Sequence, residues 1–188
     1  MRQLIALSTT VSKLHYKVRL SVGARDDIMW WIECVDTWNC KSVFLEELWV
    51  YSVDYHMYTD ACNYGIGGVF LEEWYSFKLN EEQQSMDIAW KELLAVLVAC
   101  ELWGYLLQGK RLLIYCDNSA IVCVVNSGTS RCPHLMRLVR LLFATAVRHN
   151  FDVRLKHVPG TSNIEADLLS RLDVTRFLEL RASSSQTG

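Results

Sequence analysis

The chain has 188 residues, 51% of them hydrophobic and 21% charged, which excludes a disordered chain and allows one domain with a sizeable core. A formal net charge of −2 excludes a global polycation, although residues 110–188 hold 11 Lys/Arg against 6 Asp/Glu where residues 1–109 hold 8 against 15, so the C-terminal half suits a phosphate backbone. Seven cysteines, an odd number without a Cys-x-x-Cys, speak against a disulfide framework or a zinc site and for free thiols in a reducing compartment.

Ala24 to Trp38 reads as a helix, with Ile28, Trp31, Ile32 and Val35 on one face and Asp26 and Asp27 at its positive end. Asn39 ends it. Three strands follow, Asp54 to Asp60, Gly65 to Leu71 and Trp74 to Leu79, and their short links favour antiparallel hairpins. Asp87 to Gln108 is the clearest helix, with Ile88, Leu93, Val96, Leu97 and Cys100 as its apolar face and Gly109 as its stop. Arg111 to Cys116 is a continuous apolar run, as in a buried central strand. A short helix over Asn118 to Asn126 and a longer one from Pro133 to about His149 come next. Phe151 to Val158 alternates as a strand, and Ser162 or Asn163 caps a helix through Leu172. From Ala182 the tail reads as disordered. The order predicts an α/β domain: a mixed five-stranded sheet, three antiparallel strands first, with helices on its faces. No segment reaches the ~18 uncharged apolar residues of a membrane span, and the N-terminal apolar stretch is too short for a signal peptide, so an intracellular protein with no membrane partner is expected.

Four acidic residues stand in fitting contexts. Asp60 closes the first strand, Glu92 sits one turn into the long helix, Asp117 follows the apolar run Leu112–Cys116, and Asp167 lies in the last helix. Each alone has an ordinary reading: a turn aspartate, a dipole partner or an N-cap. Two carboxylates at strand ends and two at helix starts can meet at one sheet edge, however, as an enzyme that cuts a phosphodiester with two divalent ions requires.

The motifs Tyr-Thr-Asp-Ala-Cys-Asn-Tyr-Gly-Ile-Gly-Gly (58–68), Lys-Glu-Leu-Leu-Ala (91–95), Tyr-Cys-Asp-Asn-Ser (115–119) and His-Val-Pro-Gly-Thr-Ser-Asn-Ile-Glu-Ala-Asp-Leu-Leu-Ser-Arg (157–171) together resemble ribonuclease H of the retroelement kind. The likeness covers about residues 54–172 and is greatest to the RNase H region of reverse-transcribing retrotransposons, DIRS-like elements in particular. It implies the RNase H fold and endonucleolytic cleavage of the RNA strand of an RNA–DNA hybrid. Two Mg²⁺ ions, or Mn²⁺ in their place, would be held by Asp60, Glu92, Asp117 and Asp167. His157 would assist proton transfer or product departure, and Asn118 and Asn163 would lie near the substrate, where a 2′-OH distinguishes RNA from DNA. Residues 1–50 resemble the connection that precedes RNase H in DIRS-like polyproteins, so a separate or lost reverse transcriptase region is expected upstream, and residues 173–188 form an extension. Cys62 stands where a serine is more usual, and Gly67-Gly68 where a bulkier residue is common. Two rival readings are a relic that binds nucleic acid or a partner without cutting, and an integrase- or transposase-type nuclease of the same fold.

Overall fold

A computed structural model describes residues 7, 17–36, 49–50 and 57–185. The chain divides into two compact units, Met1–Ser42 and Val43–Gly188. In the first, helix α1 spans Val22–Asp36, opened by Ser21, whose Oγ accepts from the Ala24 N–H at 3.2 Å. Its inner stripe is the buried Ala24 and Asp27 with the half-buried Ile28 and Trp31, an i, i+3, i+4, i+7 set. Ile32 and Val35, expected on that apolar face, are exposed. The expected end at Trp38 and Asn39 lies outside the described residues.

In the second unit the strands are β1 (Trp49–Val50), β2 (Tyr58–Ala61), β3 (Gly65–Phe70), β4 (Glu73–Lys78), β5 (Arg111–Cys116) and β6 (Asp152–His157). Strands β2, β3 and β4 form an antiparallel meander, while β5 runs parallel to β1, β2 and β6. Spatially the order is β4-β3-β2-β5-β6, with β1 also beside β5. This is the expected mixed sheet, extended by β1. Residues 54–56 of the expected first strand lie outside the described residues.

The helices are α2 (Glu81–Ser85), α3 (Ile88–Trp103), α4 (Ser119–Ser127), α5 (Pro133–His149), α6 (Ile164–Ser170) and α7 (Val174–Ser185). Helix α3 is apolar on most sides and is buried accordingly. Its Leu93, Val96, Leu97, Cys100 and Trp103 join Leu138, Val139 and Leu142 of α5 and Ile66, Phe70, Leu112 and Ile114 of the sheet in one core. Ile88, expected on that face, is exposed. The α-helix stops at Trp103 rather than Gln108 and continues as a 3-10 turn over Gly104–Leu107. At Gly104 a side chain would meet the His149 ring at 2.9 Å, so the close approach of α5 sets the geometry there. Gly109, at φ +79°, then reverses the chain into β5. The short helix α2, not expected, is opened by a reciprocal cap between Asn80 and Gln83.

Two expectations at the C-terminal end are corrected. Helix α6 stops at Ser170, two residues before Leu172, which adopts φ +62°. The tail expected to be disordered from Ala182 is helical through Ser185, as the last turn of α7. Phe177 of α7 is buried with Val69, Leu168 and Leu169 and lies edge-on to Trp74 at 5.4 Å. Arg181 donates to the Leu71 carbonyl at 2.9 Å and to Glu165 at 3.2 Å. These anchors hold α7 against the β3–β4 hairpin, although its own sequence is only weakly apolar. Among the described residues no helix is long and apolar enough to cross a membrane.

Candidate active site

Asp60 projects from β2, where its strand partner on β3 is Gly67. It is 5% exposed, and Glu92 on α3 is 4% exposed. Asp117 follows the last residue of β5 and is half-buried, as is Asp167 on α6. Parallel pairing of β2 and β5 in register at Tyr58 and Tyr115 sets Asp60 and Asp117 on the same side, because side chains alternate along each strand. One carboxylate oxygen each from Glu92 and Asp117 lies within 4.8 Å of the other and of Cys116 Sγ. The Cys116 thiol points to Glu92 Oε2 at 3.9 Å. Asp167 pairs with Arg171 at 2.8 Å, one turn on.

The electrostatics record the same convergence. Burial, above all, raises Asp60 to about 6, with repulsion from Asp117 and Asp167 adding to it and the Ser170 hydroxyl and Arg171 opposing it. Burial likewise raises Glu92 to about 9, with Asp60 and Asp117 repelling it, while the Ala61 backbone and the Cys116 thiol bond its charged form. Burial beside Glu92 pushes the Cys116 thiol well above its ordinary value.

Both carboxyls are raised on folding, so folding favours their protonated forms. Their contribution to stability is whole below about pH 3.8 for Asp60 and 4.5 for Glu92, and is lost as pH rises through about 6 and about 9 respectively. The metal-free protein is expected to melt at progressively lower temperature across that window. Thermal unfolding in a chelator checks this, and added Mg²⁺ should restore the midpoint most at the alkaline end, where the ligands are ionised. A midpoint that rises with pH in chelator would contradict it.

His157 closes β6, and its Nε2 lies 3.1 Å from the Asp117 carbonyl oxygen. The chain then passes over Asp117: a side chain at Gly160 would come within 3.2 Å of Asp117 Oδ2. Asn118 caps α4, its Oδ1 accepting from the Ala120 and Ile121 N–H groups. Asn163 stands at the expected N-cap position of α6. Its side chain does not cap α6 but donates to the Thr59 carbonyl at 3.0 Å. At 2% exposed, it ties the loop to β2 rather than facing outward to a substrate. Two basic residues of the C-terminal half, which suits a phosphate backbone, are partly engaged within the chain: Arg148 pairs with Glu101 at 3.2 Å, and Lys156 lies over the Tyr115 ring.

Ser170 stands in the His157–Arg171 motif without a local pattern that marks it, and its hydroxyl donates to Asp60 Oδ2 at 2.5 Å. Gly67 stands where a bulkier residue is common. A side chain there would meet the Leu169 Cβ and the Ser170 backbone nitrogen at 2.5 Å, so its bareness seats α6 on the sheet. Gly68 likewise admits the Tyr75 ring, whose hydroxyl donates to the Ala95 carbonyl at 2.7 Å. Cys62, in the serine position, donates to the Ser170 carbonyl at 3.0 Å.

The family described as the RNase H-like domain found in reverse transcriptase matches residues 51–144. An enzymatic polyprotein of Cassava vein mosaic virus is 29% identical over 102 residues, 54% of this chain and 15% of the polyprotein. The chain thus spans under a sixth of that relative's length. Among solved structures, LC11-RNase H1, isolated from compost by a metagenomic approach, aligns with a TM-score of 0.51 at 21% identity over 65% of this chain and 96% of its own. RNase H1 from the halophilic archaeon Halobacterium salinarum NRC-1 aligns with a TM-score of 0.50 at 17% identity over 62% and 96%. At these identities the likeness is one of fold, and the fold is that of RNase H.

Proposed function

The chain belongs to the RNase H-like domains found in reverse transcriptase, and from that premise we propose that it cuts the RNA strand of RNA–DNA hybrids internally, using two divalent ions, as one domain of a DIRS-like retroelement polyprotein. The observation that carries this reading is that Glu92 and Asp117 offer oxygens within 4.8 Å of each other, beside an Asp60 that, like Glu92, is almost wholly removed from water and is repelled by Asp117 and Asp167. Buried carboxylates that repel one another are costly unless a cation neutralises them. The oxygen donors suit a hard ion such as Mg²⁺, with Mn²⁺ as a substitute, so the residues fit the group. Asp60 and Glu92 would form the buried floor of the site, with Asp117 and Asp167 as its more open wall. When bound, such ions supply Lewis-acid chemistry, lowering the pKa of an attacking water and stabilising the departing 3′ oxygen.

The chain's own residues then have distinct tasks. Asp60, held by Ser170, presents its other oxygen to the site. His157, beside the Asp117 backbone, would assist proton transfer or product departure. Asn118 keeps its amide N–H groups for a 2′-OH while its carbonyl caps α4. Grip on a long hybrid would come from the separate or lost reverse transcriptase region.

Cleavage of a labelled RNA–DNA hybrid in Mg²⁺, with single-stranded RNA and duplex DNA as controls, tests the proposal. Hybrid-specific cutting supports it. Cutting of duplex DNA would favour an integrase-type nuclease, and a folded protein that binds hybrid without cutting would be a relic. His157→Ala is expected to lower kcat on the order of 10²-fold with little change in KM. A variant with undiminished kcat would remove His157 from the proton path.

A further inference from the structure

Ser170 lies 110 residues from Asp60 in sequence, yet its hydroxyl bonds Asp60 Oδ2 at 2.5 Å. The same oxygen lies 2.9 Å from the Asp167 carbonyl, and the residue is wholly buried. Its backbone is gripped as well: the Cys62 thiol donates to its carbonyl at 3.0 Å. Gly65 and Gly67 let β3 approach so closely that a side chain on either would strike the Ser170 carbonyl at 2.3 Å or its nitrogen at 2.5 Å. Ser76 on β4 donates to the neighbouring Leu169 carbonyl at 2.6 Å. Strands β3 and β4, with Cys62 just after β2, therefore fix the position of one hydroxyl, and that hydroxyl meets a carboxylate in the site.

We infer that Ser170 is a positioning residue for metal binding: it orients the Asp60 carboxylate and sets its placement relative to Asp167, which lies one turn earlier on the same helix. This deepens the reading of the site as a two-ion centre and rests on it. A hydroxyl that merely satisfied a buried group could bond any carbonyl nearby. Here the donor occupies Oδ2, so Oδ1 is left to face the ions, and the carboxylate loses the rotation that would otherwise have to be frozen on binding. A short, charge-assisted bond of this kind is the stronger sort. Partners that orient a metal ligand typically change metal affinity or activity by 10- to 100-fold when removed.

The test is Mn²⁺ binding by calorimetry on the full chain, without substrate, comparing wild type, Ser170→Ala, Ser170→Cys and Asp60→Asn, with the thermal midpoint of each in chelator. Ser170→Ala is expected to bind Mn²⁺ about tenfold or more weakly, and its cleavage rate should recover as the Mn²⁺ concentration is raised. Ser170→Cys, which keeps a weaker donor, is expected to fall between Ala and wild type, and it decides the matter if the Ala variant does not fold. Wild-type Mn²⁺ affinity in the Ser170 variants, with affinity lost in Asp60→Asn, would overturn this inference and leave the two-ion reading standing. Wild-type affinity in all of them would overturn both. A lowered midpoint with unchanged affinity would make Ser170 purely structural, which also overturns it.

Discussion

Asp60→Asn is expected to abolish hybrid cleavage while leaving the fold in place. Asn keeps the volume and can still accept from Ser170, so the contact at 2.5 Å has a replacement partner. What it removes is a charge that repels Glu92 and that Asp117 and Asp167 disfavour. An ion contributes several kcal/mol of transition-state stabilisation and each ~1.4 kcal/mol is a factor of ten, so the loss should be on the order of a thousandfold. The variant should also melt no lower than wild type in chelator above about pH 6, where the native carboxylate has ionised against its neighbours. Residual activity near wild type would end the assignment of Asp60 as a metal ligand. A midpoint far below wild type would instead mean that the carboxylate supports the fold.

Gly67→Ala is the second large effect. An added Cβ would sit 2.5 Å from the Leu169 Cβ and from the Ser170 nitrogen. One of the two is backbone of a helix pinned by Ser76, Cys62 and Asp60, so the clash cannot be relieved by turning a side chain. Overpacking of this kind costs about 1–3 kcal/mol, or roughly 2–12 °C in the midpoint of a chain of this size. Because the displaced helix carries Asp167 and Ser170, cleavage should fall further than stability alone explains, at temperatures where the variant is still folded. Thermal unfolding with single-turnover cleavage checks both. An unchanged midpoint would show that α6 does not sit this closely on β3.

Gly67 also shows where the sequence could mislead. Against the pattern of related chains it reads as a loss of bulk on a strand. In the fold the missing side chain is the space a helix fills, and no local pattern reports what lies across a sheet. Asn163 is a similar case. By local rules it caps a helix, but a buried carbonyl at Thr59, 104 residues away in sequence, claims its amide. A capping bond to solvent-exposed backbone gains less than pairing a carbonyl that would otherwise be buried alone.

Other elements could be read directly. The strand Arg111–Cys116 and the helix Pro133–His149 have the bounds that the apolar run and the leading proline predicted, since both signals are local: continuous burial on two faces and a preset φ at the first helical position. The antiparallel meander followed from short links. Helix α7 could not be read, because Val174–Ser185 has little helical pattern of its own and is held by Phe177 and Arg181 reaching the β3–β4 hairpin.

By itself, then, the sequence determined the order of the main strands and helices, the mixed sheet and the four ordered carboxylates, because hydrophobic period, turn chemistry and motif spacing are properties of neighbouring residues. Only the tertiary structure decided that two of those carboxylates are buried and raised, that Ser170 holds Asp60, that the Asn163 side chain is a tie rather than a capping group, and that bare glycines on β3 seat the helix bearing Asp167. Each of these depends on desolvation or on close contact between residues about a hundred positions apart, and such contacts exist only once the chain has closed on itself.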